Sequence, residues 1–177
     1  MRVLALVLLL VTPAVTPAQR FPRPPATNDP RLTEPPPRPG AGGAQERARL
    51  LFEAIKAGDH TLGLGFFMPR EVFRQIKGVA DPDRFYDRML AMFERDVAEL
   101  HEALGEDAER ATFVRLELSR RRGWVGVRQE SNRLPYWAQR HNTLVYRVGD
   151  EERTFEVRTL NAWDGEWYLT HLSEFRR

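Results

Sequence analysis

Asp96 is the residue whose type and position most demand a chemical explanation. From Pro82 to Leu104 apolar residues recur every three or four positions, with Tyr86, Leu90, Phe93, Val97, Leu100 and Leu104 forming a stripe that Phe85, Met89 and Met92 widen. At ~100° per residue Asp96 falls inside that arc, about 50° from its centre. A carboxylate there is desolvated, so it must either find a partner or carry a raised pKa. Satisfied by an ion pair, with Arg140 as the facing cation, or by a local hydrogen bond, it is structural. Unpaired at a pocket wall, it is a general base or a ligand anchor.

Strand parity supplies the groups that would share a pocket with it. If Asp164-Gly165 is a two-residue turn, Trp163 faces Glu166, Asn161 faces Tyr168 and Thr159 faces Thr170. A second two-residue turn at Gly149-Asp150 adds Tyr136, Ala138, Arg140, Asn142, Leu144 and Tyr146 to the same side. That face also holds Phe155, Val157 and Leu172. It is mostly apolar with a few neutral polar groups and one Arg, as a concave pocket would be. The expected ligand-binding set is therefore Asp96, Tyr136, Arg140, Asn142, Asn161, Tyr168 and Thr170.

The opposite face carries Gln139, His141, Val145, Glu156, Arg158 and His171 together with Trp137, Leu160, Trp167 and Leu169. The last four would form an exposed apolar patch, which usually marks a partner surface, and a homodimer is expected there. One bulge or a three-residue turn would exchange the two faces.

Other chemistries find little purchase. His141, Arg158 and His171 should lie side by side across three strands, but an Arg between two His opposes a cation, so no metal and no cofactor is expected. His101 is a boundary residue and His60 lies in a loop. Ser119, Ser131 and Ser173 lack a nucleophile-elbow context. Gly63-Leu64-Gly65 lacks the third glycine and the preceding strand of a dinucleotide loop and reads as a flexible turn. Zero cysteines exclude a disulfide framework, a thiolate metal site and a cysteine nucleophile.

The elements that must position these residues fall into two halves. Gln45–Ala57 reads as a helix with Gly58 as its stop, and Pro69 opens a short helix carrying Val72, Phe73 and Ile76 up to Gly78. Asp81-Pro82 caps the long helix, and Gly105 ends it. After Ala111 the period changes to two, giving strands over 112–119, 124–127, 136–148, 151–163 and 166–172, with a polar loop at 130–135. Helices first and antiparallel strands after predict an α+β domain with the helices on one sheet face.

The helical first half and the closing run Trp163-Asp164-Gly165-Glu166-Trp167-Tyr168-Leu169-Thr170-His171-Leu172 resemble the nuclear-transport-factor-two-like, or cystatin-like, superfamily over roughly residues 45–173. The resemblance implies a curved sheet wrapped around a long helix as a cone with an open mouth. The superfamily holds dehydratases, isomerases, cyclases, transport adaptors and exported domains, so fold does not select function. The Asp–His pair of its dehydratases has no counterpart at specific positions here.

Residues 1–18 have a positive start, an apolar run from Val3 to Val11 and small residues before Gln19, the pattern of a cleaved signal peptide. The run is shorter than the ~20 residues that span a bilayer, so no transmembrane segment is expected in the mature form, which would be periplasmic or extracellular. Residues 19–43 hold eight of the thirteen prolines and end in Gly40-Ala41-Gly42-Gly43, a composition that reads as a disordered linker. The folded domain is expected over 44–177.

Five Arg against Asp29 and Glu34 lie in residues 1–43, which leaves 22 basic and 23 acidic side chains in the body, a net charge of −1. Such a body has no field for gathering phosphates, so nucleic acid is not an expected partner. Two lysines among 27 basic residues read as a trace of genomic base composition. The reading that follows is an exported, non-catalytic domain that binds a small apolar or amphipathic ligand or a protein. The alternatives are a small-molecule lyase or isomerase with Asp96 as base and Tyr136, Tyr168 and Arg140 polarising the substrate, and an envelope module positioned by its proline tail.

Overall fold

Helix boundaries follow the chemistry of their flanking residues. The computed structural model describes residues 37–173, so the leader and the proline-rich stretch up to residue 36 lie outside the described residues. Helix α1 spans Gly42–Ala57 and stops at Gly58, whose φ of 65° is left-handed. Pro69 precedes the short α2, Arg70–Ile76. The long α3, Pro82–Leu104, begins where the Asp81 side chain accepts from Arg84 N at 2.9 Å, and it ends at Gly105, φ 51°.

The second half is a five-stranded antiparallel sheet of β1 (Ala111–Glu117), β2 (Arg122–Val125), β3 (Tyr136–Val148), β4 (Glu151–Trp163) and β5 (Glu166–His171). The order is β1-β3-β4-β5, and β2 shares the β1 side of β3, pairing with its first residues. Asp164 and Gly165 both take positive φ, 49° and 77°, as the expected two-residue hairpin requires. The three helices pack on this sheet, an α+β architecture. Leu51, Phe52 and Ile55 of α1 and Phe93 and Val97 of α3 share one core cluster with Leu144, Val157, Leu160 and Trp167 of the sheet. No helix among the described residues is long and apolar enough to cross a membrane.

Burial along β3 and β4 does not keep a period of two. Leu160 and Ala162 of β4 are buried, and so is Val157, three residues before Leu160; Gln139 and Asn142 of β3 repeat that interval. The break falls at His141, φ 57°, opposite Arg158, where the β3–β4 ladder skips a pair. A left-handed residue inside a strand resets the alternation, so side chains of equal sequence parity on either side of His141 need not share a face.

This corrects the expected partner surface. Leu160, Trp167 and Leu169 are fully buried in the chain's own core, and half-buried Trp137 packs edge-on against Trp124 at 5.6 Å. Two segments near the N-terminus cover β5. Leu169 N donates to Phe66 O at 2.8 Å and Met68 N to Leu169 O at 2.9 Å, while the Trp167 indole donates to Pro39 O at 3.2 Å. No exposed patch is left for these four residues to form.

Gly63-Leu64-Gly65 is likewise no loose turn. His60–Gly63 is a 3-10 turn capped by Asp59, and Gly63 packs so closely that a Cβ there would lie 3.1 Å from the Phe93 ring.

Candidate functional site

Strand register sets out the wall of the site. Arg140, Thr159 and His171 form one cross-strand row over β3, β4 and β5, and Ala138, Asn161 and Tyr168 form the row two residues along, about 7 Å away. The expected pairing of Thr159 with Thr170 gives way to Thr159 with His171, because β5 carries one extra residue between Leu169 and His171. That bulge places Thr170 and His171 together at the wall, where its hydroxyl donates to Thr159 O at 3.3 Å.

A cavity of about 320 Å³ opens between this wall and the helices. Met68, Phe73, Ile76, Phe85 and Met89 supply its apolar side. Its polar side holds Lys77, Glu130, Tyr136, Arg140, Asn161 and His171, with Arg158, Thr159, Thr170 and Ser173 at its edges. The Asn161 amide oxygen is buried at this wall and has no hydrogen-bond partner.

Glu130 organises the mouth. Its two carboxylate oxygens take one donor each, Arg140 Nη2 at 2.5 Å and the Tyr136 hydroxyl at 2.9 Å. The Lys77 ammonium uses three donors on three oxygens: Asn132 Oδ1 at 2.8 Å, Glu130 O at 3.2 Å and the Tyr136 hydroxyl at 3.2 Å. Arg128, Glu130 and Ser131 all take positive φ, 70°, 49° and 60°, a cluster of left-handed residues without a glycine among them. Gly78 N donating to Ser131 O and Arg133 N donating to Ile76 O, each at 2.7 Å, pin that loop to the end of α2.

Burial tunes the site's titratable groups. It pushes the Lys77 ammonium below its ordinary range, partly offset by the Glu130 charge. Burial likewise raises the Tyr136 phenol, and it lowers the His171 imidazole, which the Lys77 charge depresses further. At neutral pH the cavity is therefore lined by a neutral imidazole and a protonated phenol.

Of the seven expected ligand residues, the structure brings Tyr136, Arg140, Asn161 and Thr170 together at the cavity. Asp96 is not among its lining residues. It is 3 % exposed, accepting from Ser173 N at 3.1 Å, Ser173 Oγ at 2.7 Å and Arg95 Nη2 at 3.0 Å. Its cation is thus the neighbouring Arg95, and Arg140 goes to Glu130 instead. Asn142 lies past the break at His141 and is consumed by the sheet, donating to Gln139 O and Val157 O and accepting from Ser119 N. Tyr168 is covered by the Arg47 guanidinium, 4.5 Å from its ring centroid.

The row of His141, Arg158 and His171 divides. Arg158 Nη1 lies 3.2 Å from His141 Nδ1, and both meet Glu156, at 3.3 and 2.6 Å. His171 turns to the cavity with the bulge. Among the described residues no three His, Asp or Glu side chains gather in a way that could hold a metal ion. His60 meets Phe93 edge-on at 6.4 Å, and His101 Nδ1 reaches Ile55 O at 3.0 Å.

Lys77 and Glu130 escaped the sequence reading. Lys77 had only its rarity as a signal, as one of two lysines in a chain with twenty-five arginines; its compact three-donor ammonium reaches three separate oxygens. Glu130 had none, since a carboxylate in a polar loop is ordinarily solvated. Compared with known proteins, the chain matches no family model, no curated protein and no solved structure.

Proposed function

We propose that this chain is an exported, non-catalytic ligand-binding domain of the nuclear-transport-factor-two-like kind, whose cavity takes one small amphipathic molecule. The leader at 1–18 supports export. The cavity's 320 Å³ stands at the small end of the ~300–1,000 Å³ range of small-molecule sites. Its apolar side and its convergent polar groups suit a ligand with a greasy body and few polar atoms.

The observation that carries the reading is the make-up of the cavity, whose apolar side from Met68, Phe73, Ile76, Phe85 and Met89 faces convergent polar groups; at its wall the Asn161 amide oxygen has no partner within the chain. An unsatisfied buried acceptor costs about 1–3 kcal/mol. An N–H or O–H of a bound molecule would remove that cost once a small shift of the wall uncovers the oxygen, which is otherwise closed off. The lyase or isomerase reading has less support, because the Asp96 carboxylate is occupied by Ser173 and Arg95.

Native mass spectrometry of the mature protein from its own cells, wild type beside Asn161→Leu, tests the proposal. The wild type should carry a small-molecule adduct. The variant should lose it while melting at the same temperature or higher, since an apolar side chain replaces an unsatisfied polar one. A wild type without adduct, or a variant that keeps it undiminished, would refute the reading.

A further inference from the structure

We infer that the cavity's ligand is an apolar carboxylic acid, and that Glu130 holds the place of its carboxylate between Arg140 and Tyr136 when the site is empty. The inference rests on the ligand-binding reading above and adds the ligand's chemical class and a built-in competitor.

Three observations carry it. Glu130 is the one acidic side chain among the described residues that line the cavity, whereas Lys77, Arg140 and Arg158 line it as cations. With the Glu130 side chain swung out, the mouth keeps the Arg140 guanidinium, the Lys77 ammonium and the Tyr136 hydroxyl around a site already shaped for two carboxylate oxygens. A guanidinium fork with a neighbouring hydroxyl matches a carboxylate better than any neutral head group.

Second, Glu130 is free to leave. Its side chain is 46 % exposed and Arg140's is 40 %, so the pair stands at the mouth rather than in the core. The loop backbone does not depend on the side chain, because Lys77, Gly78 and Arg133 hold it through main-chain atoms of residues 130, 131 and 76. Third, three left-handed residues within four positions are an unusual way to build a loop, and Glu130 itself is one of them. Strain of this kind gathers at ligand clamps.

The rest of the ligand follows from the walls. Phe73, Ile76, Phe85 and Met89 face its body, which is therefore apolar. An internal carboxylate on the same donors competes at a high effective concentration, so the site binds its ligand less tightly than its contacts allow.

Calorimetric titration of the mature full chain with octanoate, and with 1-octanol as its uncharged match, tests this. Glu130→Gln should tighten octanoate at least tenfold, and Arg140→Gln added to it should reverse that gain. Octanol should bind all three proteins within twofold of one another. Glu130→Ala, with its melting curve as a check on folding, gives the same gain by a second route. If octanol binds while neither Glu130 variant tightens octanoate, the carboxylate inference fails and the ligand-binding cavity stands. If neither probe binds the wild type or the Glu130 variants, the cavity reading fails and takes the inference with it.

Discussion

Asp96 and Asn161 are both buried polar side chains, yet they stand in opposite positions. Asp96 has one oxygen on Ser173, through its backbone N–H and its hydroxyl, and the other on Arg95. It therefore ties the end of β5 to the middle of α3, a structural role. Asp96→Ala should cost about 2 kcal/mol in urea unfolding, since it leaves the Ser173 groups without their acceptor. Adding Ser173→Ala to that variant should cost far less than Ser173→Ala in the wild type, because the shared interaction is already gone. Equal costs in the two backgrounds would show that the contact does not hold the fold. The helical wheel made Asp96 legible as a buried carboxylate in need of a partner. The partners were legible only in part, because Arg95 is the adjacent residue but the two Ser173 donors come from 77 positions away, in a place that depends on the bulge at Thr170. Asn161 lines the cavity and keeps the register that hairpin parity gives it, since no irregularity lies between it and the Asp164-Gly165 turn.

At the scale of elements, local signals and long-range ones part. Caps, prolines and glycines act within a turn of the chain, and α3, β3 and β4 have the bounds that Asp81-Pro82, Gly105, Gly149-Asp150 and Asp164-Gly165 announce. The faces of β3 and β4 were not readable in full. A left-handed His141 has no sequence signature of the kind a glycine would give, and it moves Asn142 out of the set that Tyr136 and Arg140 belong to. The turn at 59–68 shows the same limit, since Gly63 looks like a flexible glycine and is in fact a packing one. An added Cβ would lie 3.1 Å from Phe93 and 3.2 Å from Ala54, and Phe93 is itself stacked on Phe67 at 4.9 Å. With its ring held on that side, Phe93 has little room to give. Gly63→Ala should thus lower stability by about 1–2 kcal/mol through overpacking. Gly65→Ala, where the nearest atom is a Leu50 methyl at 3.5 Å, should change it by less than about 0.5 kcal/mol. Thermal melts of the two variants decide it; equal melting temperatures would mean that the α1–α3 contact yields without cost.

For the molecule as a whole, the question is where the domain begins. Composition placed the boundary after Gly43, because a run of Pro and Gly without large apolar residues has little to bury. The fold reaches further back. Gly42 and Gly43 are already helical, Pro39 is buried, and its carbonyl accepts from the Trp167 indole, whose ring is fully buried in the core. Pro37 and Pro39 also line a groove with Trp124, Trp137 and Trp163, and proline rings on aromatic walls are a recurrent mode of docking. Composition misses such docking because the apolar surface that proline covers belongs to distant strands rather than to its own segment. A chain that starts at Ala44 should therefore be less stable than one that starts at Pro37. It lacks an acceptor for a buried indole N–H and the cover over an aromatic groove, together worth about 2 kcal/mol. Tryptophan emission should report the same loss as a red shift in the folded protein, since water gains the groove before unfolding begins. If the two chains unfold at the same urea concentration with the same emission maximum, Pro37–Ala41 is only the end of a tether, and the domain starts where composition placed it.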